Sequence, residues 1–282
     1  MDLIAPDLWR KIAVRRKGDS FSWRVSALFL VAVGAALGEA TFASAGAPPK
    51  YDHVVVVIME NHSFQQILLA PAAPYLQKLA RTGALFGHSH GVAHPSQPNY
   101  LALFSGSTQG IRDDGVHEFA GPTLVGRLRA AGKTFAGYAE VGSPRKHNPW
   151  ESFAEAKGAG KSLAEFPRDY SRLPAVSFVI PNLRHDMHDG TVDQADDWLK
   201  SHLGAYAKWS RKHNSLFIVT FDEDDYGLEN QIFTVVYGAG VKPGRYAERV
   251  DHYTLLRTIE DIEGAAPLGA TVVRKAIGCA WQ

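Results

Sequence analysis

Between His53 and Met59 the chain reads HVVVVIM, a run with no polar face, and it stops abruptly at Glu60-Asn61-His62-Ser63. An unbroken β-branched run predicts a strand buried on both sides, as in the middle of a parallel sheet. Ala175 to Ile180 (AVSFVI) and Ser215 to Phe221 (SLFIVTF) read the same way, and further strands are expected at Thr134 to Tyr138 and Ile232 to Tyr237. Between them lie helical patterns: Pro74 to Arg81 closed by Thr82-Gly83, Asn99 to Phe104 closed by Ser105-Gly106, and Thr123 to Ala131 with Gly132 past its end. Thr191 and Gln194 form a capping-box start for a long helix to about His213, with Ala195, Trp198, Leu199, Leu203 and Tyr206 at helical spacing. Tyr253 to Ile262 is the last clear helix. This alternation predicts an α/β domain with a mainly parallel central sheet and helices on both faces.

The first 45 residues follow a different logic. Arg10, Lys11, Arg15, Arg16, Lys17 and Arg24 precede an apolar run from Val25 to Gly38 and then Ala43-Ser44-Ala45. That is the order of a secretory signal peptide with an A-x-A cleavage site. The apolar run falls short of the roughly 20 residues a membrane span needs. Cleavage after Ala45 is therefore expected, leaving residues 46–282 as one exported domain, periplasmic or extracellular, with no stable membrane span. An uncleaved signal anchor is the alternative, and Arg15-Arg16 is a weak hint of twin-arginine export.

Composition narrows the chemistry. Lys and Arg total 30 against 29 Asp and Glu, with no basic run, so a nucleic-acid partner is not expected. The basic side chains of residues 1–45 outnumber Asp2, Asp7, Asp19 and Glu39, which leaves the remainder slightly acidic with all 12 His. Cys279 is the single cysteine, so neither an intramolecular disulfide nor a cysteine-based zinc site can form. Nothing in the pattern bears on oligomeric state.

Polar clusters follow three buried strands directly: Glu60-Asn61, Asn182 through Asp189, and Asp222-Glu223-Asp224-Asp225. Each alone is ordinary turn chemistry. In an open α/β sheet, however, ligands bind outside the carboxyl ends of the strands, so three such clusters can converge. Gathered carboxylates repel one another unless a cation neutralises them, and a divalent metal ion does so while polarising a phosphoryl oxygen. The oxygen donors of Glu60, Asn61, Asp222 and Glu223 favour Ca²⁺, Mg²⁺ or Mn²⁺, whereas His252 would bring in Zn²⁺. His252 could as easily cap a helix.

A nucleophile is offered by His94-Pro95-Ser96-Gln97-Pro98-Asn99-Tyr100. Ser96 lies just before a predicted helix whose first turn suits Pro98, so helix amides would face an anion bound there. The plainer alternative makes Ser96 an N-cap. Other motifs fail. Gly158-Ala159-Gly160-Lys161-Ser162 ends like a phosphate-binding loop, but Glu155 stands where its first glycine belongs, so it reads as a glycine-rich loop. Asp222 to Gly227 begins like a calcium loop, but Phe233 stands at the twelfth position, so an EF-hand is rejected. No G-x-S-x-G, H-E-x-x-H or G-x-G-x-x-G occurs.

The blocks VVVVIMENHSF (Val54 to Phe64), HPSQPNYLALFSG (His94 to Gly106), KHNP (Lys146 to Pro149), VIPNLRHDMHDG (Val179 to Gly190), FDEDD (Phe221 to Asp225) and DHYTLLRTIE (Asp251 to Glu260) occur in one order. Together they resemble the bacterial phosphoesterase family, which holds acid phosphatases and non-specific phospholipases C and is similar in fold to alkaline phosphatase. The resemblance covers nearly all of Tyr51 to Ala265. It implies Ser96 as a nucleophile that is transiently phosphorylated, with Glu60, Asn61, Ser96, Asp222 and Glu223 as ligands of one divalent metal ion. It implies Asn61 also as a phosphate ligand, and His147 as a phosphate-facing residue or the acid for the leaving alkoxide. His252 is the expected late catalytic histidine. Asn182, Asp186 and His188 fall where two-metal relatives hold a second ion; here they read as phosphate-binding, and Asn182, not being a carboxylate, argues against that ion.

The substrate implied is a small phosphomonoester, hydrolysed at mildly acidic pH where histidines of ordinary pKa, about 6.5, are protonated. Phospholipases C of the family are longer, so a chain ending soon after Asp261 points to an acid phosphatase, with phosphodiester cleavage as the alternative. A non-catalytic domain that binds an anion or a polymer is the alternative from outside enzymology.

Overall fold

The computed structural model describes residues 46–227 and 229–282. Among them run strands β1 (His53–Met59), β2 (Ala84–His90), β3 (Phe135–Ala139), β4 (Gly160–Ser162), β5 (Val176–Ile180), β6 (Ser215–Phe221), β7 (Thr234–Gly238) and β8 (Gly244–Asp251). The helices are α1 (Phe64–Leu68), α2 (Pro74–Thr82), α3 (Ser96–Ser105), α4 (Leu124–Ala130), α5 (Val192–Ser210) and α6 (His252–Glu263). One sheet takes the order β4-β3-β5-β1-β6-β7-β2-β8. β7 is antiparallel to both β6 and β2, and the remaining pairings are parallel.

β1 lies between β5 and β6, and its alternating residues serve two cores. Val54, Val56 and Ile58 pack with residues of α3, α4 and α6 on one face, and Val55, Val57 and Met59 with residues of α1, α2 and α5 on the other. This is why the run needs no polar position: with period two, each face must be apolar if each is covered. Burying one such side chain contributes about 1.5–3 kcal/mol. Among the described residues no helix is long and apolar enough to cross a membrane. The expected leader, residues 1–45, lies outside the described residues.

Several expectations shift. β2 and β8 were not predicted from the sequence pattern: β2 carries His88, Ser89 and His90, and β8, at the sheet edge, alternates exposed Arg245, Ala247 and Arg249 with half-covered Tyr246 and Glu248. The glycine-rich stretch at Gly158 is in part a strand, because Gly160 to Ser162 pair with Gly137 to Ala139 as β4. α5 ends at Ser210, short of His213. α3 begins at Ser96, three residues before its predicted start, and all ten of its residues are buried. Its C-terminus turns on Gly106 in the left-handed region, where a Cβ would lie 2.2 Å from the Leu268 carbonyl oxygen, so only glycine fits.

Two buried acids hold elements together away from the strand ends. Asp196 of α5 accepts hydrogen bonds from the first amides of α2, Tyr75 and Leu76, each at 2.8 Å. Glu260 of α6 accepts from the Leu268 amide at 2.9 Å and the Thr271 hydroxyl at 2.7 Å, fixing the C-terminal segment.

Candidate active site

The carboxyl ends of β1 and β6 lie side by side, and the chain leaves them in register: Asp222 donates its amide to the Met59 carbonyl at 3.0 Å, and Glu60 donates its amide to Asp186 at 2.8 Å. Glu60, Asp186 and Asp222 are thereby brought together from three segments, as the strand-end pattern predicts. Asn61 adopts φ 53°, a left-handed conformation that asparagine tolerates, and its amide donates to Asp222 Oδ1 at 3.2 Å.

Ser96 enters from the other side as the first residue of α3. Pro95 is the N-cap, and the Gln97 amide is capped from outside by Asp114, so Ser96 is not an N-cap and its hydroxyl is not engaged in capping. Ser96 Oγ lies 3.0 Å from Glu60 Oε2 and 3.1 Å from Glu223 Oε1, and its single proton can go to only one of them. The loop before it is clamped by Asn99. Asn99 Oδ1 accepts from the amides of Val92 and Ala93 at 2.9 and 3.0 Å, while its Nδ2 donates to the Ala93 carbonyl at 2.9 Å. Asn230 ties the same loop to the acidic one, donating to the Ala93 carbonyl at 3.0 Å and accepting from the Asp224 amide at 2.8 Å.

His147 is fully buried beneath this arrangement. Its Nε2 lies 3.3 Å from Glu60 Oε1 and its Nδ1 3.5 Å from Asp186 Oδ2, yet neither nitrogen makes a hydrogen bond. The ring stacks on Tyr100, with centroids 4.9 Å apart, and Tyr100 donates its hydroxyl to Glu60 Oε1. His188 stands behind, its ring 6.1 Å from that of His147 and its Nδ1 2.7 Å from Asp189 Oδ1. His252 donates Nε2–H to the Asp222 carbonyl at 2.5 Å, which gives it a hold on the Asp222-Glu223 backbone and leaves Nδ1 buried without a partner. Asp251, not His252, caps α6.

Asn182 is not brought into the cluster. Its amide and its Nδ2 donate to Glu140 and Val141, and its Oδ1 accepts from the Arg184 and His185 amides, so its polar atoms are spent on its own turn and on the loop after β3. His185 belongs to a neighbouring contact with Glu140, 2.9 Å away, and stacks on Trp198.

The electrostatics are those of crowded acids. Burial, followed by the charges of Asp222 and Asp186, pushes the Glu60 carboxyl well above its usual range. Burial and then Glu223 do the same to Asp222. Burial raises both Asp186 and Glu223 to about 7. Burial, with help from Lys146 and His188, drives His147 down, and burial lowers His252. The expectation of imidazolium rings at mildly acidic pH therefore does not extend to these two histidines.

Asp222 Oδ2, Asp186 Oδ2 and Asn61 Oδ1 are buried without a hydrogen-bond partner. Unpaired oxygens among mutually repelling carboxylates match the donor chemistry of a hard divalent cation. Among the described residues no group of three or more His, Cys, Asp and Glu side chains is gathered so as to hold a metal ion by itself. The donor set here is mixed, since Ser96 and Asn61 stand among the carboxylates.

Four participants were missed in the sequence: Tyr100, His94, Lys146 and Asp114. Tyr100 is one helical turn after Ser96 and so shares its face, a signal that was available. His94 faces Glu223 through Nδ1 and stacks on Tyr226, with centroids 4.4 Å apart. Lys146 directly precedes His147 and pairs with Asp114 at 2.8 Å, whereas nothing in the sequence around Asp114 marks it.

Residues 68–266 match the Phosphoesterase family, a span that begins after Glu60 and Asn61. The chain is 43% identical over 255 residues to a phosphatidylinositol-3-phosphatase of Mycobacterium tuberculosis, covering 84% of this chain and 85% of that protein. It is 27% identical to a phosphate-repressible acid phosphatase of Penicillium chrysogenum, covering 78% of this chain and 60% of that protein, so it spans little more than half of that relative. In fold it is similar to a protein of the alkaline phosphatase superfamily from Vibrio parahaemolyticus, with a TM-score of 0.57 and 15% identity, covering 82% of this chain and 72% of the other.

Proposed function

The chain belongs to the phosphoesterase family, a hydrolase acting on phosphoric esters, and on that premise we propose that it is an exported, metal-dependent phosphomonoesterase of the acid phosphatase type that works through a phosphoserine at Ser96. The observation that carries this reading is the position of Ser96 Oγ, at the first residue of α3 and between the carboxylates of Glu60 and Glu223.

Glu60, Asn61, Asp222 and Glu223, with the Ser96 hydroxyl, would hold one divalent cation, which when bound neutralises the carboxylates and polarises a phosphoryl oxygen. Ser96 attacks phosphorus, and its O–P bond forms as the ester P–O bond breaks. Its proton has a carboxylate oxygen within about 3 Å on either side. The first amides of α3 and the Asn61 side chain hold the nonbridging oxygens. His147, neutral because it is buried, donates a hydrogen bond from its ring to phosphate or to the leaving oxygen. Water then cleaves the serine phosphate. Asp186 and His188 position His147 from behind, and His252 positions Asp222.

Hydrolysis of p-nitrophenyl phosphate by wild type and Ser96→Ala, each with chelator and then with single metals restored, tests the reading. Loss of turnover in Ser96→Ala and recovery of the wild type with a divalent ion are expected. Full activity in Ser96→Ala sinks the covalent route, and chelator-insensitive activity sinks dependence on an exchangeable metal.

A further inference from the structure

Asp114 belongs to an exposed loop, yet its carboxylate reaches the start of the helix that bears the nucleophile. Its Oδ1 accepts the Gln97 amide at 3.0 Å, one residue from Ser96, and its Oδ2 takes Lys146 Nζ at 2.8 Å. One carboxylate thus bridges a helix N-terminal amide and a lysine, the two kinds of donor that also receive two oxygens of a phosphoryl group. The neighbour of Lys146, His147, is fully buried with both ring nitrogens unpartnered, and its ring faces Glu60 and Asp186.

Lys146 and Asp114 side chains are 21% and 29% exposed, so solvent reaches the pair and the carboxylate can be exchanged. The rest of the loop is self-sufficient. Asp113 accepts from the Gly115 amide at 2.8 Å and meets His117 Nε2 at 2.6 Å, so release of Asp114 leaves that turn intact. Lys146 also lies in the field of Glu60 and Asp222, which favours its charged form whether or not Asp114 is in place.

We infer that Lys146 and the Gln97 amide form the seat for the second negative charge of a phosphomonoester, and that Asp114 is a resident anion which substrate displaces. The inference rests on the reading of Ser96 as a site for phosphate esters and adds the source of its selectivity. Replacing a carboxylate of charge −1 by a monoester dianion gains one unit of negative charge against Lys146. Replacing it by a diester monoanion gains none and still costs the Asp114 contact. Lys146 is thus a specificity-determining residue for monoesters over diesters, and Asp114 sets the affinity threshold.

The test uses the full chain with its metal. Inorganic phosphate binding is measured by calorimetry, and kcat/KM by turnover of p-nitrophenyl phosphate and its bis ester, the latter read as a competitive inhibitor if it is not cleaved. Lys146→Gln is expected to weaken phosphate binding and monoester kcat/KM by about 10- to 100-fold, the size of a lost charge-assisted hydrogen bond. The diester should change by less than about 3-fold, within the range of an ordinary surface substitution. Lys146→Arg should recover most of the loss. Asp114→Asn should tighten phosphate several-fold, whereas a purely structural cap would weaken or not change it. Equal losses for monoester and diester, or weaker or unchanged phosphate binding in Asp114→Asn, overturn the inference. Should Lys146→Gln fail to fold, the direction in Asp114→Asn decides alone. Phosphate binding is read without turnover, so a failure of the Ser96 reading shows separately, as hydrolysis that survives Ser96→Ala.

Discussion

Buried acids occur in two settings in this protein, and their difference is informative. Glu260 and Asp196 each accept two hydrogen bonds from fixed internal donors. The acids around Ser96 are as deeply buried, but Asp222 Oδ2 and Asp186 Oδ2 have no partner and the nearby His147 has none on either nitrogen. The direction of the pKa shift does not separate the settings, since burial raises Glu260 to about 7 just as it raises Asp186 and Glu223. What separates Asp222 and Asp186 from Glu260 and Asp196 is unfilled hydrogen-bonding capacity. Glu260 and Asp196 are closed by the chain itself, whereas Asp222 and Asp186 each keep an oxygen open to something from outside.

The sharpest way to break this contrast is Ser96→Ala. It should lower kcat for p-nitrophenyl phosphate by at least about 1000-fold, the scale of losing a nucleophile, while the melting temperature stays near that of wild type. Coupled losses of activity and fold would place Ser96 with the structural group. Asp196→Ala should do the reverse: removing the acceptor of two helix amides costs about 1–3 kcal/mol in denaturant unfolding with little change in kcat.

Metal removal probes the open acids directly. Their folded pKa values lie above the unfolded ones, so the folded chain without metal keeps protons that the unfolded chain has released. The share of stability due to Asp186 and Glu223 should therefore be fully present below about pH 4 and fall as pH rises toward about 7, by about 1.4 kcal/mol per pH unit for each group, while buried His147 and His252 contribute the opposite slope below about pH 6.5. Restoring a divalent ion should raise the melting temperature more at pH 8 than at pH 5. An equal rise at both pH values would show that the cation does not relieve these carboxylates. The smallest effect is expected from Glu260→Gln, within about 1 kcal/mol of wild type at pH 5. It should remove that group's share of the decline between about pH 4 and 7, which thermal melts across pH would show.

The sequence pattern made the buried centre of the sheet legible because β1, β5 and β6 are apolar throughout and end in polar residues. It hid β2 and β8, whose polar positions fit a strand near the sheet edge, and β7's antiparallel course, which no local signal encodes. The acids at strand ends were readable because the boundary between an apolar run and a polar cluster marks the ligand side of an α/β sheet, and Ser96 because Pro98 marks a helix start. Asn182 shows the limit of that signal, since a residue at such a boundary can spend all its polar atoms on a turn. Lys146 and Asp114 meet across 32 residues of chain, a pairing that depends on the path of the loop rather than on spacing.

α3 carries Ser96 and is covered along its whole length. Amide protons in such a segment exchange with solvent only when the surrounding core opens, so the site cannot loosen locally while the domain persists. Hydrogen exchange in α3 should therefore report the global unfolding free energy. On heating, the enzyme should keep its catalytic geometry until the fold itself is lost.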